Sequence, residues 1–142
     1  MKKLALFLCI LVLVTITGCN KEIKTEYSLN ETATIDDIEI TMTKASYSNN
    51  ILEVEFKIKN ERNNTISIAP DTYFKLYDIN QVQIPNKYEN DNNMIKKGDT
   101  IILTLQYNIQ EKSIYEILFY SGIVENNIRF NITSKNIIYS IE

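Results

Sequence analysis

The feature that most restricts the fold of this chain is an unbroken alternation at Leu52-Glu53-Val54-Glu55-Phe56-Lys57-Ile58-Lys59. Even positions are apolar and odd positions charged. Successive side chains of an extended strand point to opposite faces, so this segment predicts a strand with one face on a core and the other in water. Ile38-Glu39-Ile40-Thr41-Met42-Thr43 repeats the pattern more briefly, and the turn-forming cluster Ser48-Asn49-Asn50 between the two predicts a hairpin. Further strand candidates fall at residues 65–68, 74–77, 81–84, 100–107, 115–120 and 128–133, with polar punctuation at 61–64, 79–80, 89–93, 110–113 and 125–127. Many short strands separated by frequent turn signals predict a sandwich or a barrel. No window carries an apolar stripe at helical period, although Pro70-Asp71-Thr72 suits one helical turn because proline is tolerated at the first helical position. The tail is strand-like at Ile137-Ile138-Tyr139, with its pairing left open.

The N-terminus is built differently. Met1-Lys2-Lys3 precedes an apolar run from Leu4 to Ile16 and then Thr17-Gly18-Cys19. A positive start, a short apolar middle and small residues at the end are the three parts of a secretory signal, and the run is shorter than the ~20 residues a membrane-spanning helix needs. Ile16-Thr17-Gly18-Cys19 resembles the bacterial lipobox, which implies a diacylglyceryl group on the Cys19 sulfur and cleavage between Gly18 and Cys19. Two acyl chains would hold the protein to a membrane, since each buried methylene adds ~0.8 kcal/mol and one chain alone binds marginally. The expected organisation is a cleaved signal at residues 1–18, a lipidated N-terminus and polar tether at 19–29, and one β domain at 30–142. A tether of that length reaches roughly 30 Å when extended.

Composition narrows the function classes. Removing the two signal lysines from fifteen basic residues leaves thirteen against eighteen acidic ones, a formal charge of −5 for the mature chain. That balance argues against nucleic acid and against a polybasic lipid-binding surface. There is no histidine, and of the two cysteines Cys9 lies in the signal and Cys19 is the lipid site, so zinc sites built on His and Cys, and His-based triads, are excluded. No disulfide is expected in the folded domain.

Two segments carry a family likeness. The first runs Val54-Glu55-Phe56-Lys57-Ile58-Lys59-Asn60, a polar turn, Ile66-Ser67-Ile68, then Pro70-Asp71-Thr72-Tyr73-Phe74-Lys75-Leu76-Tyr77-Asp78. The second is Ile95-Lys96-Lys97-Gly98-Asp99-Thr100 leading into the strand at 101–107. Their order and spacing resemble the telokin-like, immunoglobulin-type sandwich family of secreted and lipid-anchored bacterial proteins. The resemblance implies an all-β, immunoglobulin-like antiparallel β-sandwich of about 7–9 strands, and an extracytoplasmic interaction module without an assigned reaction. Each element also has a local reason: Asn60 can close a strand end with side-chain hydrogen bonds, Phe74 can enter the core after the turn, and Gly98 permits positive φ.

The remaining chemistry is sparse. Carboxylate pairs occur at Glu53/Glu55 and Asp36/Asp37, but Glu53 and Glu55 fall on the outward face of a strand, where charge keeps a sheet soluble. Glu89-Asn90-Asp91-Asn92-Asn93 gathers hard oxygen ligands suited to calcium without the order of an EF-hand loop, so a solvated loop is expected. Tyr77, Tyr107, Tyr115 and Tyr120 fall in strand candidates, where packing accounts for them better than a sugar-binding face. Asn63-Asn64-Thr65 is a glycosylation triplet to which a bacterial chain gives no role. No catalytic residue, metal site or cofactor is expected.

These readings converge on a non-enzymatic binding or adaptor domain on the extracytoplasmic face of the cell membrane. Its expected partners are the membrane, through the diacylglyceryl group on Cys19, and an envelope protein or cell-wall material. The rival is an envelope-polymer hydrolase using a carboxylate pair. The longest polar connection is Asn86–Lys97, and within it Asn86, Lys87, Tyr88, Glu89, Asn90, Asp91, Asn92 and Asn93 are expected to form the partner-facing loop, because sandwiches leave recognition to loops and edges.

Overall fold

The computed structural model describes residues 24–87, 92–110, 114–122, 127–133, 135 and 137–139. The signal segment, Gly18 and Cys19 therefore lie outside the described residues. Among those described, the chain forms β1 (Glu26–Tyr27), β2 (Thr32–Ile35), β3 (Ile38–Ser48), β4 (Ile51–Asn60), β5 (Ile66–Ile68), the helical turn α1 (Pro70–Tyr73), β6 (Phe74–Tyr77), β7 (Gln83–Ile84), β8 (Asn93–Ile95), β9 (Thr100–Asn108), β10 (Tyr115–Tyr120), β11 (Asn127–Ile132) and β12 (Ile138–Tyr139). One sheet has the order β1-β11-β10-β6-β7, the second β12-β3-β4-β9 with β2 also on β3, and β5-β8 form a small pair. This is the expected β-sandwich.

The β3–β4 hairpin supplies the frame. Asn49 and Asn50 take φ of 50° and 61°, the left-handed pair of a tight two-residue turn whose twist matches that of the strands. Leu52, Val54, Phe56 and Ile58 are completely buried, as the alternation requires. In β3 the alternation fails after Met42 because a bulge shifts the register between Met42 and Lys44. The strand continues through the bulge to Ser48, five residues beyond the segment the sequence marked, and Thr43 turns its hydroxyl to the Glu55 carboxylate at 2.6 Å. The opposing sheet contributes Phe74, Leu76, Ile117, Phe119, Phe130 and Ile132 to the same core. Phe56 stands between the layers, its ring centroid 4.9 Å from that of Phe74 and 5.2 Å from that of Phe130.

Three expectations need correction. Residues 24–29 are not tether: Glu26 and Tyr27 pair in parallel with Arg129 and Phe130 of β11, and Leu29 packs against the core. Two residues are too short to show a period, which is why the sequence missed them. The strand expected at 81–84 is cut to Gln83–Ile84, because Gln81 takes φ of 62° in the turn after Asp78. The connection 86–97 is not free of regular structure, since Asn93–Ile95 form β8 against β5. The tail question is also answered: Ile138 and Tyr139 pair in parallel with Ser46 and Tyr47.

The strand directions define two ends. Arg129 N donates to Thr25 O at 2.9 Å, so the chain enters beside the start of β11, at the end that also carries the turns at 36–37, 61–64 and 121–122. The turns at 49–50, 78–82 and 109–110 lie at the other end, where Ile109 N donates to Asn50 O at 2.9 Å.

Candidate functional site

Each end of the sandwich holds a cleft. The one at the entry end, about 630 Å³, is lined by Asp36, Asp37, Arg62, Asn63, Asn64, Tyr73, Ser121 and Gly122. Asp36 and Asp37 both take positive φ, 48° and 57°, and close the β2–β3 hairpin. Arg62 Nε donates to Asp36 O at 2.6 Å and Nη2 to Ser121 O at 3.4 Å, while Nη2 lies 3.9 Å from Asp36 Oδ2. The Ser121 hydroxyl donates to the same carboxylate. Three loops from the two sheets are thereby tied together, and the Asp36 carboxylate is committed to holding them. This clamp was absent from the sequence reading. Its one available signal is that Arg62 is one of two arginines in a lysine-rich chain, and arginine is the side chain that bonds several acceptors in one plane.

The carboxylates of the central hairpin are likewise engaged. Glu53 accepts from Lys44 Nζ at 3.1 Å and from Gln106 Nε2 at 2.9 Å, and these two bonds, Lys44 first, hold its carboxyl below the usual carboxylate range. A lowered value keeps Glu53 ionised, which is the opposite of what a general acid needs. Glu55 accepts from Thr43.

The tyrosines divide by depth. Tyr107 is 1% exposed and Tyr115 3%, both with their rings in the core. Burial pushes the Tyr107 hydroxyl well above its ordinary range, with the Asp71 charge adding to the effect, and among the described residues that hydroxyl has no hydrogen-bond partner. Tyr77 and Tyr120 are half-buried and bonded to one another. Packing accounts for all four.

The second cleft, about 380 Å³, lies at the far end between the 78–84 turn and the end of β9, and is lined by Asp78, Ile79, Asn80, Ile84, Asn108, Ile109, Gln110 and Tyr115. That volume falls within the range of small-ligand sites. The loop expected to face a partner begins beside it. Asn86 Oδ1 accepts from Gln106 N at 3.3 Å and Lys87 N donates to Gln106 O at 2.7 Å, so the loop leaves along the edge of β9. Lys87 and Asn92 are exposed, Asn86 and Asn93 half-buried, and Tyr88, Glu89, Asn90 and Asp91 lie outside the described residues. Among the described residues no three His, Cys, Asp or Glu side chains gather as metal ligands would.

Neither a family model nor a curated protein matches this sequence. Solved structures do. The fold is similar to that of the yjhA protein of Bacillus subtilis, with a TM-score of 0.62 and 15% identity over 75% of this chain and 98% of that one. It is similar to a candidate lipoprotein of Bacillus subtilis, ycdA, with a TM-score of 0.61 and 15% identity over 77% of this chain; the match spans 40% of the ycdA chain. It is also similar to MPT63, a secreted protein of Mycobacterium tuberculosis, with a TM-score of 0.58 and 9% identity over 80% of this chain and 99% of that one. At such identities the likeness establishes the β-sandwich, a fold that these neighbours place among secreted bacterial proteins and candidate lipoproteins.

Proposed function

We propose that the chain is a lipid-anchored, extracytoplasmic binding or adaptor domain of the telokin-like, immunoglobulin-type class, held to the cell membrane through Cys19. The observation that carries this reading is the position of Lys24. It enters at one end of the sandwich, five residues after Cys19, and leaves the far cleft at the opposite end. A five-residue spacer spans at most ~18 Å, so an anchor at Cys19 would hold the entry end near the headgroups and turn the far end outward. The fold neighbours described as secreted or as candidate lipoproteins support the same location. Among the described residues no helix is long and apolar enough to cross a membrane. The carboxylate-hydrolase alternative has less support, because Glu53, Glu55 and Asp36 each already hold hydrogen-bonding partners.

Anchoring should depend on one sulfur. Cys19→Ala is expected to abolish incorporation of labelled fatty acid and to release the protein from the membrane fraction; label retained by the variant would overturn the anchor.

Within this reading the loop at 86–93 faces the partner. Asn86 and Asn93 are fixed by β9 and β5, so replacing residues 87–92 with a Gly-Ser connection of the same length should preserve the fold. Cross-links formed by the wild-type protein in its host should then disappear. Unchanged cross-links from a folded, anchored variant would remove the loop from the interface.

A further inference from the structure

We infer that the far cleft is a peptide site, taking an extended segment that presents an apolar side chain beside a lysine or arginine; the inference rests on the binding-domain reading. The cleft is built rather than incidental. Asp78 Oδ1 accepts from Asn80 N at 2.9 Å and Val82 N at 2.8 Å, Asp78 N donates to Val82 O, and Gln81 N donates to Asp78 O, both at 3.0 Å. These four bonds and the left-handed Gln81 hold Ile79 and Val82 out in solvent, 64% and 57% exposed. Ile114, 49% exposed, lies at the same end of the sheet, two residues beyond the pairing of Glu116 with Tyr77. Three of the five large apolar side chains exposed among the described residues thus lie at this end of the sandwich, Ile79 in the lining of the cleft itself. Such a concentration marks a contact surface in a way that scattered apolar residues do not.

The lining selects the ligand. Asn80, Asn108 and Gln110 bring side-chain amides that have no hydrogen-bond partner among the described residues, and each offers the donor and acceptor that a peptide group requires. Among the described residues that line the cleft there is no lysine or arginine. The one charge among them is Asp78, whose Oδ1 serves the turn and whose Oδ2 is left for a cation. A sugar ring would seek an aromatic face, but the cleft's single aromatic residue, Tyr115, is 3% exposed and spends its ring in packing. The protein's own membrane is out of reach: the nine residues of β9 alone span roughly 30 Å, more than the spacer after Cys19 can cover.

The test is a titration of the purified mature protein, lipid-bearing or not, followed through its isoleucine methyl signals by NMR, so that failure of the anchor leaves the readout intact. The peptide Ac-Leu-Lys-Ala-NH2 should shift the methyls of Ile79, Ile84, Ile109 and Ile114 and leave Ile38 and Ile58, at the other end, unmoved. Asp78→Asn keeps the Oδ1 acceptor of the turn and removes the charge, and should weaken binding about three- to five-fold, the scale of a partly exposed ion pair. Ile79→Ser, at an exposed rim position, should weaken binding with the rest of the spectrum unchanged. Ac-Leu-Glu-Ala-NH2 should bind no better than the lysine peptide binds Asp78→Asn. The peptide site is overturned if the lysine peptide moves none of the four methyls, if Asp78→Asn binds it as wild type does, or if chitotriose moves the same methyls in preference.

Discussion

Phe56→Ala is expected to destabilise the domain by about 3–5 kcal/mol, read as a lowered urea midpoint with an unchanged slope. Phe56 has no exposed surface, and its ring meets Phe74 and Phe130 from the facing sheet, so truncation opens a cavity at the contact between the layers. Neither neighbour can close it, because Phe74 is paired through β6 to β10 and Phe130 through β11 to the same strand. Against the 5–15 kcal/mol that holds an average domain together, the loss is large. Glu55→Ala, one residue away on the outward face, should cost less than about 1 kcal/mol: it gives up the bond from Thr43, at a site where water can replace the carboxylate. Comparable losses at the two positions would contradict the sandwich.

Asn60→Leu, which keeps the branching and the number of side-chain heavy atoms, should cost about 3 kcal/mol. Asn60 is fully buried at the end of β4. Its Nδ2 donates to Asn64 O at 2.8 Å and Ile95 O at 2.9 Å, and its Oδ1 accepts from Arg62 N at 2.9 Å. Leucine leaves those three backbone groups without their partner, and the Ile95 carbonyl is left so in a buried setting. Asn60→Asp is a sharper test. A carboxylate would face two carbonyl oxygens, so the folded state disfavours the ionised form and raises the pKa of the new acid above its unfolded value. The variant's deficit relative to wild type should therefore be greatest at neutral pH and shrink as the pH falls through that raised pKa, once the protonated carboxyl can donate to one carbonyl. A deficit independent of pH in thermal unfolding would mean that the Asn64 and Ile95 bonds are not what makes Asn60 important.

Much of the frame was legible because it is local. The alternation at 52–59 is complete, and the two asparagines at 49–50 are the residues that tolerate left-handed backbone in a hairpin turn, so the central hairpin could be read directly. Tyr115–Tyr120 was marked to the residue, since tyrosine, isoleucine and phenylalanine favour strands and polar residues punctuate both sides. Legibility failed where the period breaks or has no room to show. The bulge at Met42/Lys44 hid the second half of β3, and β1, β2 and β8 have four residues or fewer. Asp36 and Asp37 stand in the sequence only as adjacent carboxylates; in the structure they are turn residues at positive φ, one of them clamped by Arg62 and Ser121.

By itself, the sequence determined what a side chain's type and its immediate neighbours determine: strand faces, tight turns, and the lack of histidine-based chemistry. Only the tertiary structure decided which distant segments meet. Ser121 reaches Asp36 across 85 residues, and the far cleft joins the 78–84 turn to the end of β9 and the start of β10. The first and last described strands are added to the sheets in parallel beside strands remote in sequence. The physical reason is that period-two burial fixes the face a residue occupies but not the strand beside it. Neighbour and register are chosen when two inner faces must pack into one core, and the two ends of the domain with their clefts exist only after that choice.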